Sequence, residues 1–76
     1  MTPQAVLFAE SHAARIMLAL QYGQGLNAQE IGDSAGLTVV QVDRRMIELQ
    51  RQGMVRVLLA GGADVVRNGM RVWVKA

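Results

Sequence analysis

The chain is 76 residues long, with 51% hydrophobic but only 4% aromatic side chains; this is enough for one domain, with a core of Val, Leu, Ile, Met and Ala rather than stacked rings. It contains no cysteine, which excludes a disulfide framework and a thiolate metal site, points to a reducing cytoplasm, and leaves the single His12 without the partners a zinc site needs. The net charge of +2 is unevenly placed: residues 1–43 carry Arg15 against Glu10, Glu30, Asp33 and Asp43, whereas residues 44–76 carry seven bases against Glu48 and Asp64, a polarity that suits a protein presenting one end to a polyanion.

In chain order, Thr2 and Pro3 form a helix start, a capping hydroxyl followed by proline at the first helical position, so residues 1–10 read as a helical N-terminal extension. Ser11 either caps a second helix or continues the first. Over residues 12–22, Ala13, Ile16, Met17 and Leu20 recur at helical spacing and mark a core face. Leu7, Phe8, Ala14 and Leu18 make the other faces apolar as well, so residues 2–20 read either as a self-association surface for a homodimer or as a helix buried within one chain. The longest apolar run, residues 16–20, is too short to span a bilayer, which predicts a soluble protein.

Gly23 and Gly25 end this helix. Asn27 then caps a second one, with Glu30 three positions on as a capping box, and Ile31 and Ala35 form its inner face. Gly36 provides the turn. Thr38 caps a third helix with Gln41 as a second box, Val42, Met46 and Leu49 line its core face, and Gly53 closes it. From there the period alternates. Residues 54–59 and 70–75 read as antiparallel strands, with Val72 and Val74 inward and Arg71, Trp73 and Lys75 outward. Gly61-Gly62 and Asn68-Gly69 are the turn signals, and Asn68-Gly69 can also close a tight hairpin on a third short strand over residues 65–67. Leu26 adds an edge residue beside the strands. The expected fold is α+β: a single domain over residues 1–76, with a three-helix core, a helix-turn-helix over residues 27–53 and a β-hairpin over residues 54–76.

Two short capped helices joined by a glycine turn are the sequence form of a helix-turn-helix. The segment from Leu26 to Val55, with Ile31, Gly36, Leu37, Val42, Met46 and Leu49 at its core and turn positions, resembles the winged helix-turn-helix superfamily. A similar pattern occurs in prokaryotic regulators of the antibiotic-resistance and arsenic-sensing types, and the likeness extends over roughly residues 11–76. It implies a third helix lying in the major groove and a hairpin wing on the adjacent backbone or minor groove.

The candidate DNA-binding residues on that helix are Thr38, Val40, Gln41, Arg44 and Arg45. Arg44 or Arg45 suits a guanine edge, Gln41 an adenine, Val40 a thymine methyl and Thr38 a phosphate. In the wing, Arg67 near the hairpin tip suits a narrow minor groove, while Arg56, Arg71 and Lys75 suit phosphates. Four of them have plainer alternatives, and one neighbour is unfavourable. Thr38 and Gln41 are capping residues, Arg45 can pair with Glu48, Arg67 can be an ordinary turn arginine, and Asp43 is ill placed beside phosphates.

The function these residues point to is double-stranded DNA binding by a small transcriptional or phage-type regulator, homodimeric and nucleoid-associated, with no enzymatic activity, cofactor or metal. Trp73 reads either as a cross-strand partner stacked on Arg56 or Arg71 or as an anchor for another protein. The alternatives to DNA-duplex binding are a winged-helix protein-interaction module, in which Val39 and Val40 form part of the contact, and a DNA-end or single-strand accessory domain.

Overall fold

The computed structural model describes residues 11–76, so the helix expected over residues 1–10 lies outside the described residues. Ser11 is extended (φ −75°, ψ 165°) and its Oγ accepts from the Ala14 N–H at 3.1 Å. It therefore caps helix α1, His12–Ala19, satisfying one of the amide donors a helix start leaves open. Ile16 and Leu20 are fully buried, with Ala13 and Met17 partly buried beside them.

Both expected capping boxes form. Asn27 opens helix α2, Ala28–Ala35, and Thr38 opens helix α3, Val39–Arg51, each with its side chain accepting the N3 amide while the N3 side chain accepts the cap amide. Gly36 ends α2 in the left-handed region (φ 71°). The turn is tight because the chain comes back onto α2 at Gly32: the Leu37 N–H donates to the Gly32 carbonyl at 2.9 Å, and a Cβ at position 32 would lie 2.5 Å from the Leu37 carbonyl oxygen. Ile31, Val42, Met46 and Leu49, each at most 3% exposed, then fill the space between the three helices at 3.6-residue spacing.

The C-terminal third is more divided than its alternating pattern predicts. Strands β1 (Val55–Val57) and β6 (Trp73–Lys75) pair antiparallel, β2 (Leu59–Ala60) pairs with β3 (Ala63–Asp64), and β4 (Val66–Arg67) pairs with β5 (Met70–Arg71). The two expected long strands are thus each broken, at Leu58 and at Val72. The cause is a closed ring of backbone hydrogen bonds. The Leu58 N–H donates to the Val72 carbonyl (2.8 Å), Val72 to Val65 (3.0 Å) and Val65 to Leu58 (2.9 Å). Three ribbons therefore meet at one point, and both turn signals are used, Gly61-Gly62 between β2 and β3 and Asn68-Gly69 between β4 and β5.

Trp73 is a correction to the outward position its alternation suggests: it is 8% exposed and part of the core. The register pairs Val57 with Trp73, and directly paired residues share a sheet face. Val57 packs against the core cluster, as does Leu26, which bridges Trp73 on its other side. Val72 (0%) and Val74 (6%) are buried too, but on the opposite face, where Gly25 and Leu58 close over them. A Cβ at position 25 would sit 2.6 Å from Val72 Cγ1. With both faces of the strand covered, alternation loses its power to say which side is inner. Among the described residues the result is a small α+β arrangement of three helices followed by three antiparallel strand pairs. No described helix is long and apolar enough to cross a membrane.

Candidate nucleic-acid interface

Because Val42, Met46 and Leu49 turn inward, helical geometry sends residues 40, 44, 47 and 51 outward as one stripe. Val40 (61%) and Ile47 (54%) are exposed on it, as are Arg44 and Arg51. Neither arginine enters an ion pair with a described residue. The remaining candidates on α3 are partly engaged within the helix. Thr38 Oγ1 accepts from the Gln41 N–H (3.2 Å) and Gln41 Oε1 from the Thr38 N–H (2.9 Å), while Arg45 Nη1 donates to both Glu48 carboxylate oxygens at 3.2 Å. That pair spans one helical turn in solvent and contributes only a few tenths of a kcal/mol, roughly 0.3–0.5, so a polyanion can compete for it. Thr38, Val40, Gln41, Arg44 and Arg45 nevertheless all lie on the first two turns of α3 or at its cap.

Arg71 comes to the same side of the molecule. It borders a groove of about 440 Å³ between α3 and β5, floored by Met46, Met70 and Trp73 and flanked by Val39 and Asp43. Its Nε lies 3.5 Å from Asp64 Oδ2, with side chains 61% and 48% exposed, a loose contact that leaves the guanidinium available. Arg56 is placed differently. Its register partner is Val74, so it projects from the sheet face opposite the helical core and is not gathered with the α3 residues.

Arg67 is also drawn away from the hairpin tip. Its Nη1 donates to Glu30 Oε1 at 2.6 Å and Oε2 at 2.8 Å, and reaches the Gly25 carbonyl at 3.4 Å. Its own carbonyl accepts from Asn27 Nδ2 at 3.2 Å. Glu30 Oε1 also accepts from the Asn27 N–H at 2.9 Å. That backbone hydrogen bond is the main cause that holds the Glu30 carboxyl below its ordinary value; burial opposes it, and the Arg67 hydrogen bond and charge add smaller lowering effects. The capping role of Glu30 is legible from its spacing after Asn27, whereas its pairing with a residue 37 positions away leaves no local signal. The same holds for Asp64 with Arg71.

A second surface lies at the other end of α3. Ala13, Ala14, Met17 and Leu18 of α1, with Leu49 and Met54, border a groove of about 530 Å³ in which no described residue of the lining is charged. Leu18 (50%) and Met54 (41%) are exposed there. Among the described residues no group of three or more His, Asp or Glu side chains is arranged to hold a metal ion.

Comparison of the chain with protein-family models, with curated proteins and with solved structures gave no match.

Proposed function

We propose that the protein is a winged helix-turn-helix domain that binds double-stranded DNA as a small regulator, with α3 in the major groove and β4–β5 as the wing beside it. The observation that carries this reading is the outer face of the first half of α3: Arg44 stands exposed and unpaired among the described residues, next to Val40 and the α3 cap. A cation that makes no internal contact is free to replace a counterion on a phosphate or to fork onto a guanine edge. Arg71 across the groove from α3 offers a second cation on the same side. Arg45 offers a third once Glu48 releases it. The segregation of positive charge into residues 44–76 supports the same orientation. A homodimer through α1 fits this arrangement, since the groove that α1 borders lies at the far end of α3 from the reading residues and leaves them open.

Titration of a labelled mixed-sequence duplex over a range of salt tests the reading. Binding is expected to weaken with salt, and replacing Arg44 and Arg45 by alanine is expected to lower the log–log slope by about 0.9 for each phosphate that is no longer neutralised. Absence of binding at low salt, or a double variant indistinguishable from wild type, would sink it. One observation favours a second reading, a protein-docking module: Val40 and Ile47 are exposed on the same stripe as the arginines, with the acid Asp43 alongside. That reading gains if the duplex is not bound and serine at positions 40 and 47 abolishes association with a defined protein partner.

A further inference from the structure

The ribbon β4–β5 contains only two register pairs, Val66 with Arg71 and Arg67 with Met70, and Val66 is 59% exposed. A two-stranded hairpin of this size is not stable by itself in water, so its place is set by what it is tied to. Three ties are visible. Leu58 holds its two ends in the three-way ring, accepting from the Val65 N–H and donating to the Val72 carbonyl. Met70 packs against the core cluster beside α3. Arg67 grips the start of α2 through Glu30, Gly25 and Asn27.

We infer that Arg67 is a positioning residue: it holds the β4–β5 ribbon against the first turn of α2 by way of Glu30, and thereby sets how far β5 and Arg71 stand from α3. This deepens the DNA-binding proposal and rests on it for its functional consequence, while the latch itself is a property of the free protein. The assignment follows from the direction of the side chain. Its Nη1 is committed to both oxygens of one carboxylate and to a carbonyl, a short charge-assisted contact, rather than displayed at the Asn68-Gly69 tip. Glu30 holds Arg67 and the Asn27 amide with the same carboxylate, so the helix cap and the ribbon share one anchor. Asn27, 1% exposed, bonds to both from inside: its Oδ1 accepts from the Glu30 N–H and its Nδ2 donates to the Arg67 carbonyl.

The test compares Arg67→Gln, Glu30→Gln and the double variant in the full chain. Glutamine at position 30 keeps an oxygen for the cap but loses the charge that grips Arg67. Each single variant is expected to speed amide hydrogen exchange over residues 65–72 by about two- to five-fold, the range of a half-exposed ion pair. The amides of Met46 and Leu49 in α3 are expected to stay unchanged, which separates a loosened ribbon from a general loss of stability. The double variant is expected to match the larger single effect, because either change alone breaks the same contact. On the mixed-sequence duplex both single variants are expected to bind up to about five-fold more weakly with an unchanged salt slope, since the latch can transmit no more than its own strength.

Effects that multiply in the double variant, or unchanged exchange in Glu30→Gln, overturn the inference. So does a salt slope lowered by about one in Arg67→Gln while Glu30→Gln binds as tightly as wild type, for that pattern makes Arg67 a phosphate contact. If wild-type protein does not bind the duplex, the functional proposal fails, and the exchange measurements alone decide the latch.

Discussion

Asn27 and Glu30 each hold two elements with one side chain, which gives positions 27 and 30 more influence than their helix-cap roles alone require. The carboxylate of Glu30 is ionised in both contacts, and its folded pKa lies below the ordinary value, first because of the Asn27 amide and then because of Arg67. The sign follows from linkage: a group whose folded pKa is depressed contributes stability that is present above its unfolded pKa and lost as pH falls through the folded pKa. Wild-type protein is therefore expected to melt above Glu30→Gln at neutral pH, with the gap closing as pH falls below the carboxylate range, where protonated Glu30 resembles glutamine. Thermal melts of both proteins from pH 7 to pH 3 check this, and a gap that widens toward acid would refute it. The cap is readable from residues three apart. The partner across 37 residues is not, because an ion pair between distant segments depends on where the folded backbone brings them.

At the scale of elements, the α2–turn–α3 unit follows its sequence closely: both capping boxes, the Gly36 end and the inward Ile31, Val42, Met46 and Leu49 are where spacing puts them. Gly32 is less conspicuous, since a glycine inside a helical run reads only as a weak point. Alanine there gains about 0.8–1.0 kcal/mol of helix propensity, but its Cβ would lie 2.5 Å from a backbone oxygen that cannot swing aside as a side chain would. Overpacking of this kind costs about 1–3 kcal/mol, so Gly32→Ala is expected to lower stability in urea melts despite the better propensity. Equal or greater stability would show that the turn opens freely. The strands are where local reading falls short. Alternation finds residues 54–59 and 70–75, yet it does not reveal the breaks at Leu58 and Val72, which exist because three non-adjacent carbonyls converge, nor the inward Trp73 on a strand covered on both faces.

For the whole molecule, the division of surfaces matters most: an exposed Arg44 beside the loosely paired Arg45 on the first half of α3, and a groove between α1 and the end of α3 whose described lining is uncharged. If α1 joins two copies through that groove, sedimentation equilibrium is expected to show a wild-type dimer that Leu18→Glu converts to monomer, because a carboxylate there would be buried without a partner. Leu18 is 50% exposed in the single chain, so the substitution leaves the fold intact; wild-type protein that remains monomeric at high concentration would refute dimerisation. Readable without the fold were α2 and α3 with their caps, the turn between them, the positions of the two tight turns and the bias of positive charge, because each of these depends on residues a few positions apart or on composition. Only the tertiary structure decided that Trp73 enters the core, that three ribbons meet at one ring of hydrogen bonds, that Arg67 turns to Glu30 and Arg56 to the far sheet face, and that Arg44 is left free among the described residues. Those outcomes depend on which distant segments share a face and which charges meet, and strand register and the docking of the ribbon on α2 set both.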